Sequence, residues 1–401
     1  MLPRTCLSSV ILLWISMIYF VKAEKELKML HVLSANKFYT PGYNYSSTTF
    51  EIPKNLTYKY FLQNAADMPN EIKMQLYSLG VNLRNSYNFF LGSLYTEDIM
   101  EMRTTEFAVS MMAAELINAG LWPPEGDQIW NPDLLWQPIP YVYNAANKDA
   151  ILLGTLCPTF EAETQYILQH NYNLTESHGN ILAQINKEGK LNLTNPIEVS
   201  LLYLAIQNGI EWKQTIPEWA QKVYSDDNFK NMSLTGYDLL SKSTVQKQLN
   251  GGSFLKKILN DSMSLINKNF SSERMINIYS GDERNFAGIM KNLNLPVHEL
   301  PNAGAALVFE LYTENQQNFI KVVYYLGTTP ETVPLTLPQC ELFCPIEKFQ
   351  SLLTYVLPKD ELSLCNGETE IDGSGDSASA LLISNLLIAI LSGVVIYSAT
   401  P

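Results

Sequence analysis

The sequence predicts an α/β fold with a mostly parallel sheet flanked by helices and an inserted α-helical cap domain. Two observations support this prediction. Short apolar runs of strand length alternate with longer segments of helical apolar spacing, which is typical of a sheet whose strands are connected by helices. Between residues 157 and 269, in contrast, the sequence looks helical throughout, as expected for a cap inserted into the α/β domain.

Four apolar runs are expected to form buried strands, because each is short and bounded by polar or turn-forming residues. They are Lys28–Leu33, Met275–Tyr279, Ala306–Tyr312 and Phe319–Leu326. The first run leads into a turn that ends at Thr40-Pro41-Gly42. The last two are joined by a polar turn at Glu314–Asn318.

Helical spacing of apolar residues predicts three helices in the α/β domain: Glu71–Phe90, Thr105–Ala119 and Glu283–Leu293. Gly120 and the prolines that follow it are stop signals for the second helix. The domain prediction is therefore a discontinuous α/β domain, residues 24–156 and 270–370, interrupted by an α-helical cap at 157–269.

The composition is that of an ordinary globular protein with an acidic surface. The 401 residues include 27 Lys and Arg against 40 Asp and Glu, a formal net charge of −13. An acidic surface repels phosphate backbones, so nucleic acid is not an expected partner.

The N-terminus has the pattern of a secretory signal peptide over residues 1–23. A basic start at Arg4 precedes the apolar run Val10–Val21, and a small residue, Ala23, ends the segment. Seven Asn-x-Ser/Thr sequons agree with passage through the secretory pathway. They begin at Asn44, Asn55, Asn173, Asn192, Asn231, Asn260 and Asn269.

Residues 380–397 form a second apolar segment, about long enough to cross a bilayer. Small residues at 372–375 precede it and no Lys or Arg follows it, which favours a lipid anchor over a single-pass helix. The expected location is the extracellular face of the plasma membrane, by either type of attachment.

Four cysteines remain after the signal peptide: Cys157, Cys340, Cys344 and Cys365. In a secreted chain they favour disulfides over metal binding, and four cysteines allow three connectivities. The remaining candidate metal ligands, His170, His178 and His298, are too scattered for a metal site. No metal or cofactor is predicted.

Several motifs together resemble the prostatic and lysosomal branch of the histidine acid phosphatases. They occur in the family's order along nearly the whole mature chain. The motifs are Arg103-Thr104-Thr105-Glu106 with Pro123-Pro124, Ile129-Trp130-Asn131-Pro132, Trp136-Gln137-Pro138-Ile139-Pro140, Cys157-Pro158-x-Phe160, and Leu337-Pro338-x-Cys340 through Cys344-Pro345. The resemblance implies a Rossmann-like domain with a helical cap, disulfides Cys157–Cys365 and Cys340–Cys344, and suggests a homodimer.

The family's catalytic positions are altered in this chain. The resemblance implies that Ala35 and Tyr39 stand where the family has two phosphate-binding arginines, and Asn36 where it has the nucleophilic His. Lys37 replaces a glycine. In the later motif, Asp282 stands at the position of a second His and Glu283 at that of the general-acid Asp. Only Arg103 matches a phosphate ligand of the family.

These replacements predict an inactive site. An amide nitrogen is conjugated with its carbonyl and lacks the available lone pair with which an imidazole attacks phosphorus. Phosphoryl transfer also needs positive charge around the equatorial oxygens, whereas Asp282 adds negative charge. We therefore expect a non-catalytic binding or interaction module with an unknown ligand or protein partner. The alternative is an acid phosphatase that hydrolyses phosphate monoesters with substitute groups.

Three side chains allow a second interpretation. Arg103 is either a surviving phosphate ligand or the partner of Glu106 or Glu283 in an ion pair. Lys37 either supplies positive charge to the pocket or points to solvent. His31 lies five residues before Asn36 and is expected to be a core or edge residue rather than a catalytic one.

Overall fold

The computed structural model describes residues 25–36, 68–170, 174–211, 213, 215–268, 274–327 and 329–367, without the side chains of residues 174–178 and 211. The predicted signal peptide, the turn at 40–42, four of the sequons and the apolar segment 380–397 lie outside the described residues. Within them, no helix is long and apolar enough to cross a membrane.

A central seven-stranded sheet organises the fold. In chain order its strands are β1 (Glu26–Asn36), β2 (Met100–Thr104), β3 (Ile276–Asp282), β4 (Ala305–Glu314), β5 (Gln317–Tyr325), β6 (Thr332–Leu335) and β7 (Cys344–Pro345). The spatial order is β2-β3-β1-β4-β5-β6, and β7 pairs with β5. The first strand is therefore central.

The prediction of a mostly parallel sheet is wrong, although the α/β class with flanking helices is confirmed. The two parallel pairs are β1–β3 and β2–β3. The other pairs, including β1–β4 and β4–β5, are antiparallel. The reason is local, because β4 and β5 are joined by only Asn315 and Gln316, both at positive φ. A two-residue connection can join only antiparallel strands.

Helices cover both faces of the sheet. Helices α1 (Asn70–Leu91) and α2 (Ala108–Leu121) pack on one face, where their apolar residues meet those of the sheet in one core cluster. On the other face a second cluster joins the sheet to helices from later in the chain. These are α9 (Ser253–Ile266), α10 (Glu283–Asn292) and α11 (Ile346–Leu353).

The described residues between β2 and β3 form helices, not strands, after a long loop that contains three 3-10 turns. The helices before α9 are α3 (Pro158–His170), α4 (Leu174–Gly189), α5 (Pro196–Glu211), α6 (Glu218–Tyr224), α7 (Asp227–Leu239) and α8 (Thr244–Lys247), and a π-helical turn at Gln248–Gly252 leads into α9. Helices α4 to α7 share a third core cluster. Within this helical segment the sequon residues Asn192, Asn231 and Asn260 are exposed, as glycan acceptors must be.

Two disulfides are present, Cys157–Cys365 and Cys340–Cys344. These are the pairings that the family resemblance implies. The first joins the start of α3 to α12 (Glu361–Asn366) across a sequence separation of 208 residues. It therefore ties the beginning of the helical segment to the last described helix.

Candidate functional site

The candidate site lies at the carboxyl ends of the two parallel strands β1 and β3. Their register pairs Asn36 with Asp282, so the residues aligned with the family's two histidines are neighbours at this edge. In α/β proteins, ligands bind at the carboxyl ends of parallel strands. The structure thus brings together two residues that are 246 positions apart in the sequence.

Asn36 is completely buried and its side chain is engaged within the protein. Its amide nitrogen donates a hydrogen bond to the Ser280 hydroxyl, 2.5 Å away, and its amide oxygen accepts a bond from Ser34 at 3.4 Å. The side chain therefore faces its own polar network. It supplies no nucleophile at the end of β1.

That network extends to the first turn of α2. Ser280 donates to the backbone carbonyl of Ser110 at 2.9 Å, and Ser110 donates to the carbonyl of Ser280 at 2.9 Å. Thr104, the last residue of β2, donates to the Ser110 hydroxyl at 2.7 Å. These hydroxyls satisfy one another and hold β2, β3 and α2 together beneath the site.

Asp282 caps the N-terminus of α10. Its Oδ1 accepts hydrogen bonds from the backbone amides of Arg284 and Asn285 at 3.0 and 3.2 Å. The Asn285 side chain bonds in return to the Asp282 amide, which completes a capping box. Oδ2 accepts from the Arg284 guanidinium through both Nε and Nη2. The donors around Asp282 are thus directed at its own carboxylate.

Arg103, which is partly buried, forms an ion pair with the buried Asp149, with Nη2 and Oδ1 2.8 Å apart. The sequence had suggested Glu106 or Glu283 as the ion-pair partner of Arg103, and the structure shows Asp149 in that role. Burial raises the pKa of Asp149, although the adjacent guanidinium and the backbone amide of Leu152 act in the opposite direction. The Arg103 charge is therefore matched within the chain.

The strand register places Arg103 and Asn36 on opposite faces of the sheet. Arg103 is opposite Tyr279, whereas Thr104 is opposite Ser280, to which Asn36 bonds. Successive side chains of a strand point to opposite faces. The structure therefore pairs Asn36 with Asp282 but directs Arg103 to the face of the Asp149 loop.

The other predicted positions have different outcomes. Ala35 is fully buried and lies in the second core cluster. Glu283 is buried as the first residue of α10. Lys37 and Tyr39 lie outside the described residues, so the orientation of Lys37 stays a prediction.

His31 lies in the core, away from the carboxyl ends of the strands. Its Nε2 is 2.9 Å from Asp261 Oδ2, and Lys257 also binds Asp261, at 2.6 Å. Burial lowers the pKa of His31 despite the opposing effect of the Asp261 hydrogen bond. The imidazole is thus a buried core group with a carboxylate partner.

Sequence reasoning missed Arg284 and Asp149, the ion-pair partners of Asp282 and Arg103. An Asp followed three residues later by a polar side chain at the start of a helix is a recognisable cap signal, and it would have indicated the role of Asp282. No local pattern links Arg103 to Asp149, which lies 46 positions further along the chain.

The described part of the site can hold polar groups but offers little for phosphoryl transfer. It presents an amide, hydroxyls and two internal ion pairs, Arg103–Asp149 and Arg284–Asp282. Within the described residues, no three His, Cys, Asp or Glu side chains are grouped as metal ligands. The described part of the site therefore keeps the strands and helix of the fold, and its two arginines are paired with carboxylates of the same chain.

Comparison with known proteins identifies that family. A model of the histidine phosphatase superfamily (branch 2) matches residues 72–325. The chain belongs to this superfamily. The match begins within α1 and ends at β5, and so includes strands β2 to β5, the helical segment and the Asp282 motif.

Named relatives within the superfamily are acid phosphatases. Venom acid phosphatase Acph-1 of Apis mellifera is 27% identical over 361 residues, covering 90% of this chain and 92% of the relative. Prostatic acid phosphatase of Rattus norvegicus is 31% identical over 310 residues, covering 75% and 80%. The family inferred from the sequence motifs is confirmed.

Solved structures of other proteins share the fold. A phytase of Klebsiella sp. ASR1 superposes with a TM-score of 0.62 at 12% identity, covering 84% of this chain and 99% of the phytase. At this identity the likeness concerns the fold alone.

Proposed function

We propose that this protein is a catalytically inactive histidine acid phosphatase that acts as a binding or interaction module on the cell exterior. The observation that carries the proposal is the pair at the ends of β1 and β3. Asn36 is bonded to Ser280, and Asp282 is bonded to Arg284 and to the first amides of α10. Both positions lack the imidazole that the family resemblance requires there.

Charge near the carboxyl ends of β1, β2 and β3, on both faces of the sheet, supports the same proposal. Of the described charged groups, Arg103 is paired with Asp149 and Arg284 with Asp282, while Glu283 adds a further acid. A phosphoryl group is stabilised by positive charge that is free to face it. Here the nearby guanidinium groups already face carboxylates.

The test is an assay of the purified protein on p-nitrophenyl phosphate between pH 4 and 7, with a prostatic acid phosphatase as positive control. We expect no turnover above background. The alternative, an acid phosphatase with substitute groups, has the names of the relatives in its favour. Tartrate-sensitive turnover that disappears in an Asn36→Ala variant would establish that alternative.

The loop that follows α2 carries large exposed apolar side chains, which supports an interaction role. They are Ile129, Trp130, Leu134, Leu135, Trp136, Val142 and Tyr143. Contiguous apolar surfaces mark interaction sites on soluble proteins. We propose that a second copy of the chain covers this surface, in agreement with the homodimer suggested by the family resemblance.

Light scattering after size exclusion tests the dimer. Trp130→Ser should shift the wild-type dimer to a monomer, because the exposed ring would be lost from the interface. Tyr166→Ser removes an exposed aromatic ring from α3 instead and should leave the dimer intact. A monomeric wild-type protein would remove the basis for the dimer.

A further inference from the structure

A separate cavity lies between the C-terminal end of α1 and strands β4 and β5. Its volume is about 310 Å³. Glu310 at its floor is paired in register with Leu30, six residues before Asn36 on β1. At about 3.3 Å per residue this corresponds to roughly 20 Å along the strand. The cavity is thus distinct from the candidate site.

The floor of the cavity is a buried carboxylate held by three donors. Glu310 is only 3% exposed. Its Oε1 accepts a hydrogen bond from Tyr87 at 2.6 Å, and its Oε2 accepts from Tyr312 at 3.3 Å and from Lys321 at 2.8 Å. The carboxylate charge is therefore balanced by Lys321, and the floor carries no net charge.

The hydrogen-bond inventory of the floor favours a guest that donates. Burial and the adjacent Glu310 raise the pKa of Tyr87, and burial raises that of Tyr312, so both phenols stay protonated. Their hydrogens point to Glu310, which leaves lone pairs on the two phenol oxygens. An incoming hydroxyl group can donate to these oxygens. A phosphate or carboxylate cannot donate to them, and Lys321, the cation of the cavity lining, already faces Glu310.

The walls and rim of the cavity are aromatic. Tyr87, Phe89, Phe90, Tyr312 and Tyr325 line it. Phe89 is fully exposed at the rim, directly after the kink in α1 where Tyr87 leaves helical geometry. Exposed and half-exposed aromatic faces stack on rings, and the volume is at the lower end of ligand pockets, enough for one ring.

We propose that this cavity binds a neutral single-ring molecule that carries a hydroxyl group. The ring stacks on Phe89 at the rim, and the hydroxyl donates to the phenol oxygens above Glu310. A cationic guest is disfavoured by Lys321, which already occupies the carboxylate. The ring is either a phenol or a monosaccharide, since both offer a ring face that can pack on an aromatic side chain and a hydroxyl donor.

Calorimetric titration of the purified protein with p-cresol and with methyl β-glucoside tests the proposal and separates the two sources. We expect saturable binding of one of them, and binding of benzoate and benzylamine at least tenfold weaker. Phe89→Ala should weaken binding at least tenfold without altering thermal stability, because the side chain is fully exposed. Tyr87→Phe removes one acceptor oxygen and should weaken binding while preserving ring size.

Tyr166→Ala is the matched control, since it removes an exposed ring on α3, away from the cavity, and should leave binding unchanged. Failure of both neutral ligands to bind overturns the proposal. So does binding that is unchanged in Phe89→Ala, or benzoate binding as tight as that of the neutral ligands. The outcome is independent of phosphatase activity, because the cavity and the candidate site share no residue.

Discussion

At the scale of single residues, the carboxylate of Asp282 occupies the donors that would otherwise face an incoming anion. Helix N-termini and arginine side chains both bind anions. In this chain the Arg284 guanidinium and the first amides of α10 bind Asp282 instead. The acidic replacement therefore fills the site with an internal anion as well as removing an imidazole.

Asp282→Asn should create a phosphate response that the wild type lacks. Asn keeps the helix cap but withdraws the charge from Arg284, so the unfolding free energy should fall by about 1–3 kcal/mol. Phosphate at about ten times its dissociation constant should then raise the melting temperature by on the order of 1–2 °C. The measurement is thermal unfolding with and without phosphate.

Asp360→Asn is the matched control for this experiment. Asp360 also caps a helix, α12, but it is exposed. Its variant should show no phosphate response. Stabilisation of the wild type by millimolar phosphate, lost in Arg103→Ala, would mean that the original anion site is intact.

His31 should make the protein less stable in mild acid. Burial holds its pKa below the ordinary 6.5, so at pH values between the two the unfolded chain binds a proton that the folded chain does not. The unfolding free energy should therefore be unaffected by this group above about pH 7 and should fall as the pH drops from 6.5 through the folded pKa.

Urea unfolding at a series of pH values measures this effect. His31→Gln retains a polar partner for Asp261 and should flatten the curve between pH 7 and 5. His170→Gln, which alters an exposed histidine on α3, should follow the wild-type curve. Parallel curves for wild type and His31→Gln would exclude His31 as the source of the pH dependence.

At the scale of secondary-structure elements, α1 and α2 pack so closely that their glycines are required. A Cβ on Gly80 would overlap the backbone carbonyl of Ile117, and a Cβ on Gly120 would overlap that of Tyr77. Backbone atoms cannot move aside as a flexible side chain can. The two helices that cover one face of the sheet thus depend on these two residues.

Gly80→Ala should lower the unfolding free energy by about 1–3 kcal/mol, since overpacking forces the backbones apart. Gly179→Ala is the matched helical control, because its Cβ would meet no atom within 4 Å. That variant should be neutral, or more stable by up to about 1 kcal/mol. Denaturant midpoints measure both, and equal midpoints for the two variants would contradict the close-packing argument.

The elements that the sequence predicts well are those with strong local patterns. β1, β3, α1 and α10 occur within a few residues of the expected bounds, because long apolar runs and helical spacing are local signals. The strand β2 was missed because its burial alternates over only five residues, with Glu101 and Arg103 at the partly buried positions. Long-range pairing with β3, not local propensity, forms it.

The site was predictable to the same extent. Alignment of two local motifs placed Asn36 and Asp282, and the parallel register of β1 and β3 brings them together. The ion-pair partners Arg284 and Asp149 could not be identified from the alignment of motifs. The cap pattern could have indicated the role of Asp282 and Asn285 but not the contact with the Arg284 guanidinium, and Asp149 depends on the path of a long loop that no local spacing encodes.

At the scale of the whole molecule, the location at the cell exterior remains a proposal. The two disulfides and the three exposed sequons are what an oxidising, glycosylating compartment would produce. The proposed attachment to the membrane depends on residues 380–397, outside the described residues.

Treatment of expressing cells with a phosphatidylinositol-specific phospholipase distinguishes the two attachments. We expect release of the protein into the medium, as a lipid anchor would allow. A matched sample without the enzyme gives the background release. Retention on the cells, with a C-terminal tag still present on the mature protein, would support a spanning helix instead.

The central position of β1 has a consequence for biosynthesis. β1 leaves the ribosome first, yet its partner in β3 lies 246 residues later, and its other neighbour, β4, is made later still. At roughly 5–20 residues per second the strand waits on the order of 10–50 s for these partners. We therefore expect β1 to lack its sheet partners for that interval, and chains truncated before β4 should not reach the native fold.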